Sequence, residues 1–208
     1  MRGDRHLKTY IDALVVYAPV CDLGIEPIHP HSRYVEITEC KSDKARREKY
    51  CVWKLLEKVV SSELNCDFAN LRFTKTKNGQ WVCPDFYFSL SHTDGLVCVA
   101  ISHSPIGVDA EKVRPIRHEL KHKVLTEREI GYMASLAPAE QGEYLLCSWV
   151  KKESIFKKTG GAALLPNRTE ADGHITATHR VKLGDGEYLI SACTDTNEKI
   201  QFRYMEEI

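Results

Sequence analysis

Asp109 and Glu111 stand two residues apart in Ile106-Gly107-Val108-Asp109-Ala110-Glu111. In a β-strand that spacing sends both carboxylates off one face while Val108 and Ala110 face the core. Carboxylates held this close disfavour each other's ionisation, and a hard divalent cation with oxygen ligands, Mg2+ above all, removes the penalty. Spacing alone fits a solvated acidic pair at a strand end even better, because Asp-x-Glu arises by chance in many chains. Further along, Trp149, Glu153 and Lys157 fall at i, i+4 and i+8 of a predicted helix and share one face. An exposed Glu153–Lys157 ion pair is worth only a few tenths of a kcal/mol. Trp149 on the same stripe argues for partial burial, which makes Glu153 a third carboxylate for a metal or a base, and Lys157 a cation placed for a phosphate. The two accounts weigh evenly.

Other polar residues gain meaning only in company. Ser91-His92 ends a strand before a Gly95 turn, where backbone and side-chain donors can bind an anion, although most such histidines are simply hydrogen-bonded at a strand terminus. Lys41, Lys44, Arg46, Arg47 and Lys49 crowd the start of one helix, with Lys75 and Lys77 beyond its end. Arg114, Arg117, Lys121 and Lys123 form a second basic stretch directly after the acidic pair. Each run reads either as a solvated face or as a surface for phosphates or an acidic partner.

The elements that must position these groups can be read from hydrophobic period and turn signals. Ile11–Tyr17 is β-rich, and Cys21–Ser32, with three prolines in or beside it, reads as loop. Ser42–Glu63 is predicted as a long helix, Leu71–Lys75 and Trp81–Cys83 as a hairpin around Asn78-Gly79. Phe86–Leu90 and Leu96–Ile101 are predicted strands, the second apolar on both faces and so central. Thr126–Leu136 opens in capping-box register with Glu129, and a helix from Ala139 to about Lys158 ends at Gly160-Gly161. Three β-like runs close the chain: His174–Val181, Glu187–Thr194 and Lys199–Met205. The expected fold is α+β, two similar subdomains at 1–103 and 104–208, each a small, largely antiparallel sheet with a long helix.

Composition narrows the classes. The 208 residues carry 29 Lys plus Arg against 29 Asp plus Glu, so no global field draws nucleic acid or anionic membrane. The apolar stretch Ile11–Val20 is short and broken by Asp12, unlike a signal peptide or a membrane span, and the expectation is a cytoplasmic protein. The eight cysteines lack paired C-x-x-C spacing and read as reduced, buried small hydrophobes.

Taken together, Ile106-Gly107-Val108-Asp109-Ala110-Glu111 followed by Trp149-x-x-Lys152-Glu153-Ser154-x-x-Lys157 resembles the paired signature of phosphopantetheinyl transferases, with Ser89-Leu90-Ser91-His92 as a third motif upstream. These motifs run from Phe88 to Gly160. The length resembles the surfactin-type enzymes, in which two α/β halves form a monomeric pseudo-dimer, whereas the much shorter holo-acyl-carrier-protein synthase type builds its site between subunits. The resemblance implies coenzyme A between the halves, its pyrophosphate on Mg2+ held by Asp109, Glu111 and Glu153. It implies Glu153 as the base toward the serine of an apo-acyl or peptidyl carrier protein, and Lys157 as the group stabilising charge on the attacked phosphate. Ser91, His92 and Lys152 would contact coenzyme A, His92 at the 3′-phosphate; Arg46 and Arg47 match by helix position alone, and Thr126-Glu127 matches a Thr-Glu of the second half. The products would be holo-carrier and adenosine 3′,5′-bisphosphate.

Two departures from the pattern stand out. Asn78-Gly79-Gln80-Trp81 replaces Gly-Lys-Pro, so that Lys75 or Lys77 is expected to compensate, and Ser89 replaces a common Asn. Two rival readings remain: a Mg2+-dependent hydrolase of a nucleotide phosphodiester, and a non-catalytic module that binds coenzyme A or its carrier.

Overall fold

A computed structural model describes residues 13–161, 163–195 and 199–208, residue 118 by its backbone alone. Of the expected first strand, Ile11 and Asp12 lie outside the described residues, and β1 spans Leu14–Pro19. A short helix, α1 (His31–Thr38), follows in what the sequence presented partly as loop. The long helix α2 (Asp43–Glu63) starts where the Ser42 hydroxyl accepts the Ala45 N–H at 3.3 Å, and it buries Val52, Leu55, Leu56, Val59 and Val60 on one stripe. The hairpin β2 (Thr74–Lys75) and β3 (Trp81–Val82) is followed by β4 (Tyr87–Thr93), β5 (Leu96–Ser102) and β6 (Ile106–Lys112). Next come α3 (Lys121–Val124), α4 (Glu127–Ser135) and α5 (Pro138–Thr159), and the chain closes with β7 (Ile175–Leu183), β8 (Gly186–Thr194) and β9 (Gln201–Tyr204).

Two sheets carry the site. The first has the order β4-β5-β1-β9 and the second β6-β8-β7; all pairings in them are antiparallel except β1 with β9. The α+β class is therefore as expected. The division at 103/104 assigned Gln201–Tyr204 to the second half, but β9 instead pairs with β1 in the first sheet. Strand pairing is set by tertiary contacts that no local pattern encodes.

Alternation along β5 explains the layering. Val97, Val99 and Ile101 join the core under α2, while Leu96, Cys98 and Ala100 join a second core with Val108, Ala110, Ile190 and Ala192. Both faces of β5 are thus apolar, as its sequence required. Gly107, Asp109 and Glu111 alternate to the far side of β6, where α5 lies. The order of layers is α2, first sheet, second sheet, α5. Serine hydroxyls stitch the sheets together: Ser89 accepts the Val108 N–H at 3.0 Å and Ser91 that of Ala110 at 3.2 Å.

Candidate active site

Gly107 sets how close α5 comes to β6. A Cβ there would lie 2.0 Å from the Ser154 carbonyl oxygen and 2.5 Å from the Lys158 nitrogen, so only glycine permits this backbone-to-backbone approach. The contact carries Glu153 and Lys157 to the strand that holds Asp109 and Glu111.

Asp109 is the hub, and it is 6% exposed. Its Oδ1 accepts from Ser91 Oγ at 2.9 Å and from Lys157 Nζ at 2.8 Å, whereas its buried Oδ2 has no partner among the described residues. Lys157 also donates to the Leu90 carbonyl at 3.3 Å. Burial is the largest influence and opposes the charge on Lys157, but Asp109, Cys98 and Glu153 together outweigh it and hold the ammonium above its ordinary range. Burial and then the Asp109 charge push the Glu111 carboxyl up, against the Trp149 indole N–H bonded to it. Burial and then Asp109 push Glu153 up to about 7, with Glu111 adding to the effect and Lys157 opposing it. Three carboxyl groups and one ammonium thus share a single electrostatic environment.

The donor set fits a hard divalent cation in kind: oxygen ligands, mutual repulsion, and a buried carboxylate oxygen without a partner among the described residues. The side chains are not closed around a point, and among the described residues no three such groups stand close enough to hold an ion as they are.

Cavities open on either side of the hub. One of about 310 Å3 lies between the halves and is lined by Arg33, Lys49, Gln80, His92, Phe156 and Lys157. The other, about 480 Å3, is lined by Glu111, Arg114, Ile116, Arg117, Leu146 and Trp149. The first offers cations with aromatic walls, and the second an apolar floor with an arginine rim.

A family model described as the 4′-phosphopantetheinyl transferase superfamily matches residues 105–201, the segment that contributes Asp109, Glu111, Glu153 and Lys157. This segment belongs to the 4′-phosphopantetheinyl transferase superfamily. The chain is 30% identical over 115 residues to 4′-phosphopantetheinyl transferase Sfp of Bacillus subtilis strain 168, covering 54% of this chain and 51% of that protein. It is 31% identical over 113 residues to 4′-phosphopantetheinyl transferase gsp of Aneurinibacillus migulanus, covering 54% of this chain and 48% of that protein. The chain spans about half the length of the curated relatives it matches.

Within this fold, the residues singled out from sequence separate into those that meet at the hub or its cavities and those that do not. Asp109, Glu111, Glu153 and Lys157 share the hub, and His92 lines the first cavity with its Nδ1 3.0 Å from a Glu48 carboxylate oxygen. Lys152, expected on coenzyme A, is 0% exposed and donates to the Val124 and Pro166 carbonyls at 2.9 Å and to Glu129 at 2.5 Å. Its ammonium is spent on protein acceptors and is not free to meet coenzyme A. Ser91 is buried, donating to Asp109 and accepting from Ala110, so its hydroxyl orients the hub rather than meeting a ligand.

Three further cations miss the cavity. Arg46 pairs with Asp43 at 2.9 Å, Arg47 with Asp22 at 3.4 Å, and Lys75 with Glu36 at 3.0 Å, and none lines the first cavity. Among the described residues, the cations that do line it beside Lys157 are Arg33, on α1 against the Trp53 ring at 5.0 Å, and Lys49. Lys49 was visible as one of a basic run, but Arg33 and Glu48 carried no signal beyond residue type. Gln80, standing where the family pattern has lysine, donates to the Lys157 carbonyl at 2.8 Å, and Asn78 to that of Gly160 at 3.0 Å. Ser89, in place of the common Asn, still makes its local bond, to the Val108 N–H.

Proposed function

We propose that the chain is a monomeric, cytoplasmic enzyme that transfers 4′-phosphopantetheine from coenzyme A to a serine of an apo-acyl or peptidyl carrier protein, with Mg2+ as cofactor, releasing adenosine 3′,5′-bisphosphate. The observation that carries this reading is the hub itself. A carboxyl group pushed up to about 7, a buried carboxylate with an oxygen to spare and a lysine held in its charged state stand between two cavities of different chemistry. The cation-lined cavity suits the phosphates of coenzyme A, with His92, Lys49 and Lys157 at hand. The other suits an apolar helix face, and its rim residues Arg114 and Arg117 begin the basic stretch that Lys121 and Lys123 continue, matched to an acidic carrier. Every group invoked comes from one chain, and eight free thiols suit a reducing compartment. No helix of the described residues is long and apolar enough to cross a membrane.

In the proposed reaction Glu153 takes the proton from the serine hydroxyl as that oxygen forms its bond to the phosphorus bearing pantetheine. The bond from that phosphorus to the bridging oxygen breaks, and the electron pair leaves with adenosine 3′,5′-bisphosphate. Lys157 stabilises negative charge on the phosphoryl oxygens, and Ser91 with Lys157 keeps Asp109 oriented. Mg2+, when bound by Asp109, Glu111 and Glu153, supplies charge neutralisation for the pyrophosphate.

Mass spectrometry of several apo-carriers incubated with the protein, coenzyme A and Mg2+ tests the reading. The expected result is a gain of one phosphopantetheine on the carrier serine, dependent on Mg2+. Release of free phosphopantetheine without a carrier would mark a hydrolase instead, and binding of coenzyme A with no modified carrier would mark a binding module.

A further inference from the structure

The transfer reading leaves one buried acid unexplained. Glu48 on α2 is 7% exposed, and its carboxylate is 3.0 Å from Nδ1 of His92 on β4, the histidine that lines the cation-rich cavity. A carboxylate only accepts, so the imidazole must carry its proton on Nδ1 to satisfy it. The nitrogen left for a ligand is then Nε2, which in the neutral ring is a lone pair and would repel a phosphate oxygen.

We propose that Glu48 is a positioning residue for His92, fixing its proton on Nδ1, so that a phosphate of coenzyme A is bound with uptake of a proton at Nε2. The inference rests on coenzyme A being the ligand of this cavity. The proton comes from solvent; the neutral ring becomes an imidazolium that donates Nδ1–H to Glu48 and Nε2–H to the phosphate. The groups facing the ring fit this order of events. Lys49 from α2 and Lys157 from α5 oppose charge on His92, Glu48 favours it, and Lys44, 4.0 Å from Glu48, is itself paired with Asp94 at 2.7 Å. Burial is the largest influence and holds His92 below its ordinary range before a ligand arrives. An arriving dianion reverses the balance by placing negative charge against two lysines and the ring.

Calorimetric titration of coenzyme A near neutral pH, in buffers of different ionisation enthalpy, reads the proton balance directly. The wild type should take up roughly one more proton per coenzyme A than His92→Ala, which serves as the background for ionisations elsewhere. Glu48→Gln can donate its amide to Nδ1 and so admits the Nε2–H tautomer, which binds phosphate without a new proton; its excess uptake should fall toward zero. Its affinity for coenzyme A should fall roughly tenfold as a charge-assisted bond is lost. Repeating the titration with 3′-dephospho-coenzyme A identifies the phosphate: abolished excess uptake places His92 at the 3′-phosphate, retained uptake at the pyrophosphate. The ring 15N shifts of unliganded wild type give a measurement that needs no variant, and they should report Nδ1–H. An Nε2–H tautomer, or a wild-type proton balance equal to that of His92→Ala, overturns the dyad while transfer to carriers still stands. Failure of the wild type to bind coenzyme A overturns both.

Discussion

Lys152 and Lys157 lie on the same helix, both beside a carboxylate, and they do opposite work. Five residues of α-helix turn through about 500°, so the two side chains leave the axis roughly 140° apart. Lys152 points into the seam with α3, α4 and the 166–168 turn, where one carboxylate and two carbonyls take all three of its N–H bonds. Glu129, its partner, also closes the capping box of α4 by accepting the Thr126 N–H at 2.8 Å. Lys157 points to the hub, held by one carboxylate oxygen and one carbonyl, and it lines a cavity. Saturation separates a structural lysine from one that can still meet a ligand. A motif records that both are present and not which is saturated.

The comparison breaks most visibly at Lys152. Lys152→Met keeps most of the side chain's length but leaves the largely enclosed Glu129 without its cation and the Val124 and Pro166 carbonyls without their donor. Removing one partner of such a pair costs about 3–5 kcal/mol. Thermal unfolding should fall by roughly 10 °C or more, and Mg2+ should not restore it. A melting temperature within a degree of wild type would show that the seam tolerates a Glu129 without its cation and that saturation is a poor guide to role.

Lys157→Ala should reverse the pattern. Single-turnover transfer is expected to fall roughly 10²- to 10³-fold, the usual loss when a donor to developing charge is removed. The metal-free variant should be modestly less stable, because Asp109 loses its cation, and Mg2+ should recover that stability. A stability loss that Mg2+ does not recover, with an unchanged rate, would make Lys157 a second Lys152.

Most of the framework for this contrast was legible in the chain. The stripe Val52, Leu55, Leu56, Val59, Val60 announces α2, the doubly apolar run Leu96–Ile101 announces a central strand, and Asp109 and Glu111 share a face because strand period is two. What stayed hidden depended on long-range geometry. Arg46 and Arg47 match the family by position on a helix alone, yet each residue turns 100°, and Lys49 is the one of that run carried to the cavity. Arg33 sits on a short helix whose flanking prolines read as loop, and only the fold brings it against Trp53. Lys152 fell inside a motif full of functional residues, and its burial could not be read from spacing.

Glu153 sharpens the contrast from the acidic side. Its folded-state carboxyl is pushed up to about 7 from an ordinary 4.5, so folding favours its protonated form. The penalty is absent below the unfolded value, grows from about pH 4.5, and is complete above about pH 7. In metal-free protein Glu153→Gln should therefore match wild type at low pH and melt higher above neutrality, by roughly 2–4 °C if about 1 kcal/mol survives solvent screening. Mg2+ should narrow the gap, since only wild type offers the third carboxylate. Parallel pH profiles would show that Glu153 does not share the electrostatics of Asp109 and Glu111.

The smallest effect is expected on the arginine rim, where charges are exposed and screened. Arg114 and Arg117 line the apolar cavity, and Lys121 and Lys123 extend the same stretch through α3. Lys121 and the carbonyl of Val124 belong to the segment that Lys152 anchors, so the structural lysine holds the surface on which the carrier is proposed to dock. Reversing the charge at Arg117 and Lys121 should raise the KM for an acidic carrier a few-fold and leave that for coenzyme A unchanged, because rim charges act chiefly on encounter. The increase should shrink as salt is raised, with a Debye length of about 8 Å at physiological ionic strength already limiting it. An equal rise in both KM values would place the effect in the fold of the segment rather than in docking, and a carrier KM indifferent to both substitution and salt would leave the stretch a solvated face.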